Sequence, residues 1–140
     1  MNKLGMAFFV SSILAAVSTL CAATIRVRIL DGRNGKPIAN ERAQIWINGR
    51  TGNAHELTTG RDGVATLEIP AGASLDIESN LFRDCRPFEK RVPRPTYSTD
   101  EIVSSGFAAG NGCGKLSSEA RRGELLFFVR PRHWWEGMPQ

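Results

Sequence analysis

The residues of this chain whose types could do chemistry are few: two histidines, three cysteines, three tryptophans and a scatter of acidic and hydroxyl side chains near turns. A histidine acting as general base needs a partner that orients it. His55 and His133 lie far apart in sequence, in no ligand-spaced motif, so a small hydrolase would require the fold to bring them together with an Arg or Asp. The serines stand in no nucleophile-elbow pattern and read as turn and cap residues. Gly110–Gly114 is no phosphate cradle, because Lys115 is followed by Leu116 and not by Ser or Thr. Asp31, Asn34, Asp62 and Asp84 form no loop that could gather six oxygens around calcium, and turn chemistry accounts for them. The sequence therefore supplies no catalytic residue, no metal site and no cofactor site.

The tryptophans offer binding chemistry. Exposed indole faces stack on sugars and cover apolar partners, which makes Trp46, Trp134 and Trp135, with His133 beside the last two, the candidate binding residues. Alternation places Trp46 on the outer face of its strand. At least one of the tail rings is expected to fold back over the open end of the domain.

The cysteines speak to the compartment. Lys3, the apolar stretch Leu4–Val17 and the small residues of Cys21-Ala22-Ala23 follow the order of a secretory signal. Residues 1–23 read as a leader cut after Ala23, and residues 24–140 as a single domain. The apolar stretch falls short of the about 20 residues that a membrane-crossing helix needs, so no stable span is expected after cleavage. A lipid-modified Cys21 is disfavoured by the bulky Leu20 before it. Cys85 and Cys113 then remain as a pair in an oxidising compartment, where a disulfide is the simplest account. Two thiols without nearby histidines make a poor zinc site. The formal net charge of +4 is spread along the chain with Asp and Glu interleaved, unlike the clustered stripe of a nucleic-acid binder. It suits an exported protein, periplasmic or secreted, whose partner is an envelope protein or glycan.

The elements that must position these residues are mostly strands. Thr24–Leu30 alternates Ile25, Val27 and Ile29 against Arg26 and Arg28, and Ala43, Ile45 and Ile47 repeat the pattern against Gln44 and Trp46. Glu56–Thr59 and Val64–Ile69 flank Gly60-Arg61-Asp62-Gly63 and read as a hairpin. Leu75, Ile77 and Ser79 begin a fifth strand, and Arg83–Arg94, with its prolines, suits an edge strand or long loop. Ser98 followed by Glu101 is a capping box, with Tyr97 and Ile102 at the staple positions and Gly106 closing one short helix. Leu125–Val129 is a continuous apolar run, as a central strand buried on both faces shows.

The segments IRVRILDGRNGKPIAN, AQIWING and TTGRDGVATLEIPAG, within Ile25–Ser79, resemble the carboxypeptidase-regulatory-like, prealbumin-like (transthyretin-like) β-sandwich. The stretches EIVSSGFAAGNGCGK and GELLFFVRPRHWWE look like the C-terminal part of small exported bacterial proteins of that type, here a disulfide-bearing extension of the domain. The resemblance implies an all-β, antiparallel Ig-like sandwich of about seven strands. It also implies an accessory, adhesive or carbohydrate-associated module. Hydroxyisourate hydrolases of similar shape end in Tyr-Arg-Gly-Ser, which Met138-Pro139-Gln140 does not match. The expected function is a non-catalytic module for binding or structural interaction at the cell envelope, with a tryptophan-based carbohydrate binder as the alternative.

Overall fold

The computed structural model describes residues 21–87 and 95–137, so most of the expected leader lies outside the described residues. Among them are nine strands, one α-helix and a closing 3₁₀ turn. The strands are β1 Ala22–Asp31, β2 Arg42–Ile47, β3 His55–Thr58, β4 Val64–Pro70, β5 Ser74–Ser79, β6 Phe82–Asp84, β7 Tyr97–Ser98, β8 Phe107–Ala108 and β9 Glu124–Pro131. The helix, α1, spans Thr99–Ser105, and the 3₁₀ turn Trp134–Gly137. They form two sheets, ordered β4-β1-β9-β6 with β8 also beside β9, and β3-β2-β5-β7.

The expected strands form because their apolar side chains alternate. Ile25, Val27, Ile29, Ala43, Ile45, Leu75 and Ile77 are all fully buried and meet between the sheets with Ile69, Tyr97 and Ile102. Each of the isoleucine, valine and leucine side chains contributes about 1.5–3 kcal/mol by leaving water. Ser98 accepts the Glu101 backbone N–H and starts α1, and the Gly106 N–H donates to the Ile102 carbonyl and ends it. Gly106 has φ +77, and a Cβ there would meet the Arg121 carbonyl oxygen at 2.2 Å, so glycine is required.

Two expectations are corrected. First, the sandwich is not purely antiparallel: β9 runs parallel to β1 and to β8, while β1–β4 and β6–β9 are antiparallel. The chain returns through α1 and enters β9 at Gly123 in the direction of β1, so its last strand slots between β1 and the β6–β8 side. Second, β3 and β4 do not make a hairpin. The turn at Gly60–Gly63 exists, closed by Gly60 N–H to the Val64 carbonyl and Gly63 N–H to the Gly60 carbonyl. However, β3 pairs with β2 and β4 with β1, so the turn carries the chain from one sheet to the other.

The central, doubly buried position expected for β9 is found. Leu125, Phe127 and Val129 enter the main core, while Leu126 and Phe128 form a second cluster with Leu30 and Cys85 on the other face. That face is covered through the Cys85–Cys113 disulfide, whose cysteines are 28 residues apart. Asn111 pins the same cover by donating to the Gly32 and Leu116 carbonyls at 2.8 and 3.0 Å. Chain entropy alone makes a bridge of this span worth about 3–4 kcal/mol.

Candidate functional site

One corner of the sandwich is built from the β5–β6 turn and the end of β9. The turn is shaped by Glu41, whose side chain is fully buried. Its Oε1 accepts from Ser79 Oγ at 2.6 Å and from the Asn80 and Leu81 backbone N–H groups at 2.9 and 3.1 Å. Ser79 Oγ in turn accepts from the Phe82 N–H at 3.1 Å. These bonds turn the backbone so that Phe82 packs against the core while Leu81 stands 61% exposed.

Across the ladder, Phe82 pairs with Pro131. Arg132 then reaches back over the turn to the carbonyls of Phe82 and Asn80, both at 3.4 Å. The chain closes into the 3₁₀ turn under a fork of bonds. Arg130 Nη1 and Nη2 donate to the two Glu136 oxygens at 2.9 and 2.6 Å, and the His133 N–H donates to Glu136 Oε2 at 2.7 Å. The Arg130 hydrogen bonds, helped by the His133 amide, pull the Glu136 pKa down to about 2.

This fork fixes the turn but leaves its rings outside. Trp134 is 76% and Trp135 54% exposed, against the expectation that at least one would fold over the open end. At this corner it is Phe82, opposite Pro131 in the ladder, that packs against the core. The His133 ring lies flat on Trp135, centroids 4.4 Å apart and planes 1° apart, while Trp134 meets Trp135 edge-on at 5.7 Å and 86°.

Beside this corner lies a cleft of about 270 Å³, lined by Glu78, Phe82, Arg83, Asp84, Arg86 and Arg132 together with Ser79, Pro87 and Pro95. Arg86 is buried and fully engaged. It donates to Asp84 Oδ2 at 2.7 Å, to Tyr97 Oη at 3.0 Å and to the Ile77 carbonyl at 2.8 Å. Burial opposes its charge, but Asp84 and Tyr97 outweigh this and raise its pKa. Burial likewise raises the Tyr97 phenol, with Arg86 pulling the other way. Arg86 is thus a strut joining β5, β6 and β7, and Arg83 and Arg132 supply the cleft's outward positive charge.

Trp46 is treated differently. It is half-buried on the outer face of the second sheet, opposite Asp76 in β5. The Arg50 guanidinium lies 4.0 Å from its ring centroid and is bonded to Asp76 and, at 2.8 Å, to Glu78. Hydrogen bonding to Asp76 leads the causes that raise the Arg50 pKa. Asn48 sets the loop by donating its N–H to the Ser74 carbonyl and accepting the Ser74 N–H on its side chain. Gly49, at φ +102, then lets Arg50 turn onto the indole.

The remaining candidates are not brought together. His55 is exposed at the start of β3, paired with Ile45, whereas His133 follows β9 of the other sheet, and neither lines the cleft. Asp31 and Asp84 are held by Arg33 and Arg86, and Asp62 and Asn34 accept backbone N–H groups within their turns. Among the described residues no three or more His, Cys, Asp or Glu gather as for a metal ion, and no helix is long and apolar enough to cross a membrane. Sequence reasoning missed Leu81, Arg83 and Arg132 as parts of one corner. It also missed the Arg130–Glu136 pair, whose spacing across Pro131 carries no periodic signal. Comparison with family models, with curated proteins and with solved structures returns no match to this chain.

Proposed function

We propose that this chain is an exported, non-catalytic module built on a carboxypeptidase-regulatory-like, prealbumin-like sandwich, and that it binds a component of the cell envelope through the β6–β9 corner. One observation carries the reading: two adjacent tryptophans stand exposed on a turn that a two-pronged Arg130–Glu136 pair holds in place. Exposing large apolar rings costs solubility and gains the fold nothing, so rings held out in a fixed geometry fit a docking surface. The disulfide supports the address, since such bridges persist outside the reducing cytosol. The test is capture from envelope material on the immobilised protein. The native chain retains a component that the Trp134→Ala/Trp135→Ala variant loses. Equal retention by both would refute the corner.

A second reading, a glycan subsite at Trp46, is favoured by one observation: the buried Asp76 Oδ1 has no hydrogen-bond partner, beside a shallow hollow lined by Gly49, Arg50, Asp76 and Thr96. A sugar hydroxyl could donate to that oxygen once Arg50 swung off the indole. Arg50→Ala therefore strengthens oligosaccharide binding under this reading. An unchanged blank across a glycan array removes it.

A further inference from the structure

The chemistry of the corner's partner can be read from two further features, its ring geometry and its charge balance. A flat platform for sugars needs rings whose faces lie in one plane or follow one another along a groove. Here Trp134 and Trp135 meet at 86°, and His133 covers one face of Trp135. The pair projects from a turn at the end of a strand and is a wedge more than a tray. Leu81 stands 61% exposed on the neighbouring turn, which Arg132 spans through its bonds to the Asn80 and Phe82 carbonyls. Indole rings, amphipathic and large, favour the layer between water and hydrocarbon.

Among the described residues the charges around the wedge do not cancel. Arg33 is paired with Asp31, Arg86 with Asp84 and Arg130 with Glu136. Glu78, the other acid of the cleft, is bonded to Arg50. Arg83 and Arg132, both exposed and both on the rim of the same cleft, make no ion pair among the described residues. The corner thus presents two protruding indoles and a leucine beside two guanidinium groups that no described carboxylate pairs. That combination is complementary to an anionic lipid surface, where the rings enter the headgroup layer and the arginines meet phosphate.

We infer that the β6–β9 corner docks on an anionic membrane surface as a peripheral, non-spanning anchor, with Trp134, Trp135 and Leu81 entering the interface and Arg83 and Arg132 reading its negative charge. This rests on the reading of the corner as the binding surface and names its partner.

The test uses the disulfide-bonded protein in the form its host exports, mixed with vesicles of phosphatidylcholine alone or with three parts in ten replaced by phosphatidylglycerol. Co-sedimentation and a blue shift of tryptophan emission are expected only with the anionic vesicles, and salt weakens both. Lipids brominated near the headgroup quench that emission. Trp134→Ala/Trp135→Ala lowers the partition coefficient by about tenfold or more. Arg83→Gln and Arg132→Gln each lower it by about fivefold, and all variants keep the native far-ultraviolet circular dichroism and unfolding midpoint of the fold. Absence of partition into anionic vesicles, or partition that ignores these substitutions, overturns the lipid assignment. If envelope capture still depends on the tryptophans while vesicles stay unbound, the partner is a protein or glycan. The lipid assignment then falls and the corner remains the docking surface.

Discussion

Trp46 and the Trp134–Trp135 pair are built from the same ingredients, an indole, an arginine and a carboxylate, yet they end in opposite states. At Trp46 the guanidinium lies on the ring, and Asp76 and Glu78 hold it there. At the tail the guanidinium and carboxylate bond to each other, and the rings are left in water. The difference comes from backbone. The loop at Asn48–Gly49 turns Arg50 back over its own sheet, whereas Arg130, near the end of β9, bonds the turn that follows it. An arginine near a tryptophan therefore says little about whether the ring is available; where the arginine's carboxylate partner sits decides it.

The largest way to strain the comparison is through the scaffold both regions share. Cys85→Ser/Cys113→Ser cuts the covalent tie of the cover over Leu126 and Phe128 and is expected to lower stability by about 3–4 kcal/mol. Denaturant unfolding followed by circular dichroism and by tryptophan emission then stays coincident. Separate transitions for the two probes would mean that the two regions do not belong to one cooperative unit. Next in size is Glu41→Ala, which strips the acceptor from Ser79, Asn80 and Leu81 and costs about 2–3 kcal/mol in the same assay. It loosens the Leu81 turn and leaves the Trp46 face unchanged.

A direct contrast between the two tryptophan sites follows. Trp46→Ala gives up half-buried area and the Arg50 contact and costs about 1–2 kcal/mol. Trp134→Ala/Trp135→Ala stays within about 0.5 kcal/mol of the native protein, because exposed side chains contribute little to the core. Equal losses would erase the distinction. The smallest effect is one of pH. Glu136 ionises at about 2 in the fold against an ordinary 4.5. A lowered carboxyl pKa stabilises the folded turn fully above 4.5, and this contribution is lost as pH falls through about 2. Tail emission in Trp46→Phe/His133→Leu, which removes the imidazole stacked on Trp135, is expected to hold steady from neutrality to about pH 4 and to change as pH falls through about 2. Glu136→Gln shows the acid-form emission at neutral pH. A transition near 4.5 in the native turn would mean that the Arg130 fork is not formed.

Much of the fold was legible because it follows local rules. Ile25, Val27 and Ile29 alternate, Leu125–Val129 does not, and the first is buried on one face and the second on both. Ser98 and Gly106 bracket α1 as caps do, and Cys85 and Cys113, the pair expected to bridge, form the disulfide. The pairing of strands was not legible. Gly60–Gly63 makes the turn that its residues demand, but whether the arms stay in one sheet depends on which partners β2 and β1 offer them, and that is a long-range matter. The parallel placement of β9 is hidden for the same reason. The binding candidates were visible as residue types only. Alternation placed Trp46 on the outer face without revealing that Arg50 covers it, and nothing local told that the Arg130–Glu136 pair holds the turn with the tail rings exposed.

The most direct measurement compares acrylamide quenching of tryptophan emission in Trp46→Phe, which leaves only the tail rings, with that in Trp134→Phe/Trp135→Phe, which leaves only Trp46. Each is recorded alone and in the presence of envelope material. Steep quenching of the tail rings that falls when envelope material is added, beside shallow and unresponsive quenching of Trp46, is the expected result. Tail rings as sheltered as Trp46, or protection appearing at Trp46 and not at the tail, would contradict the assignment of the β6–β9 corner as the working surface.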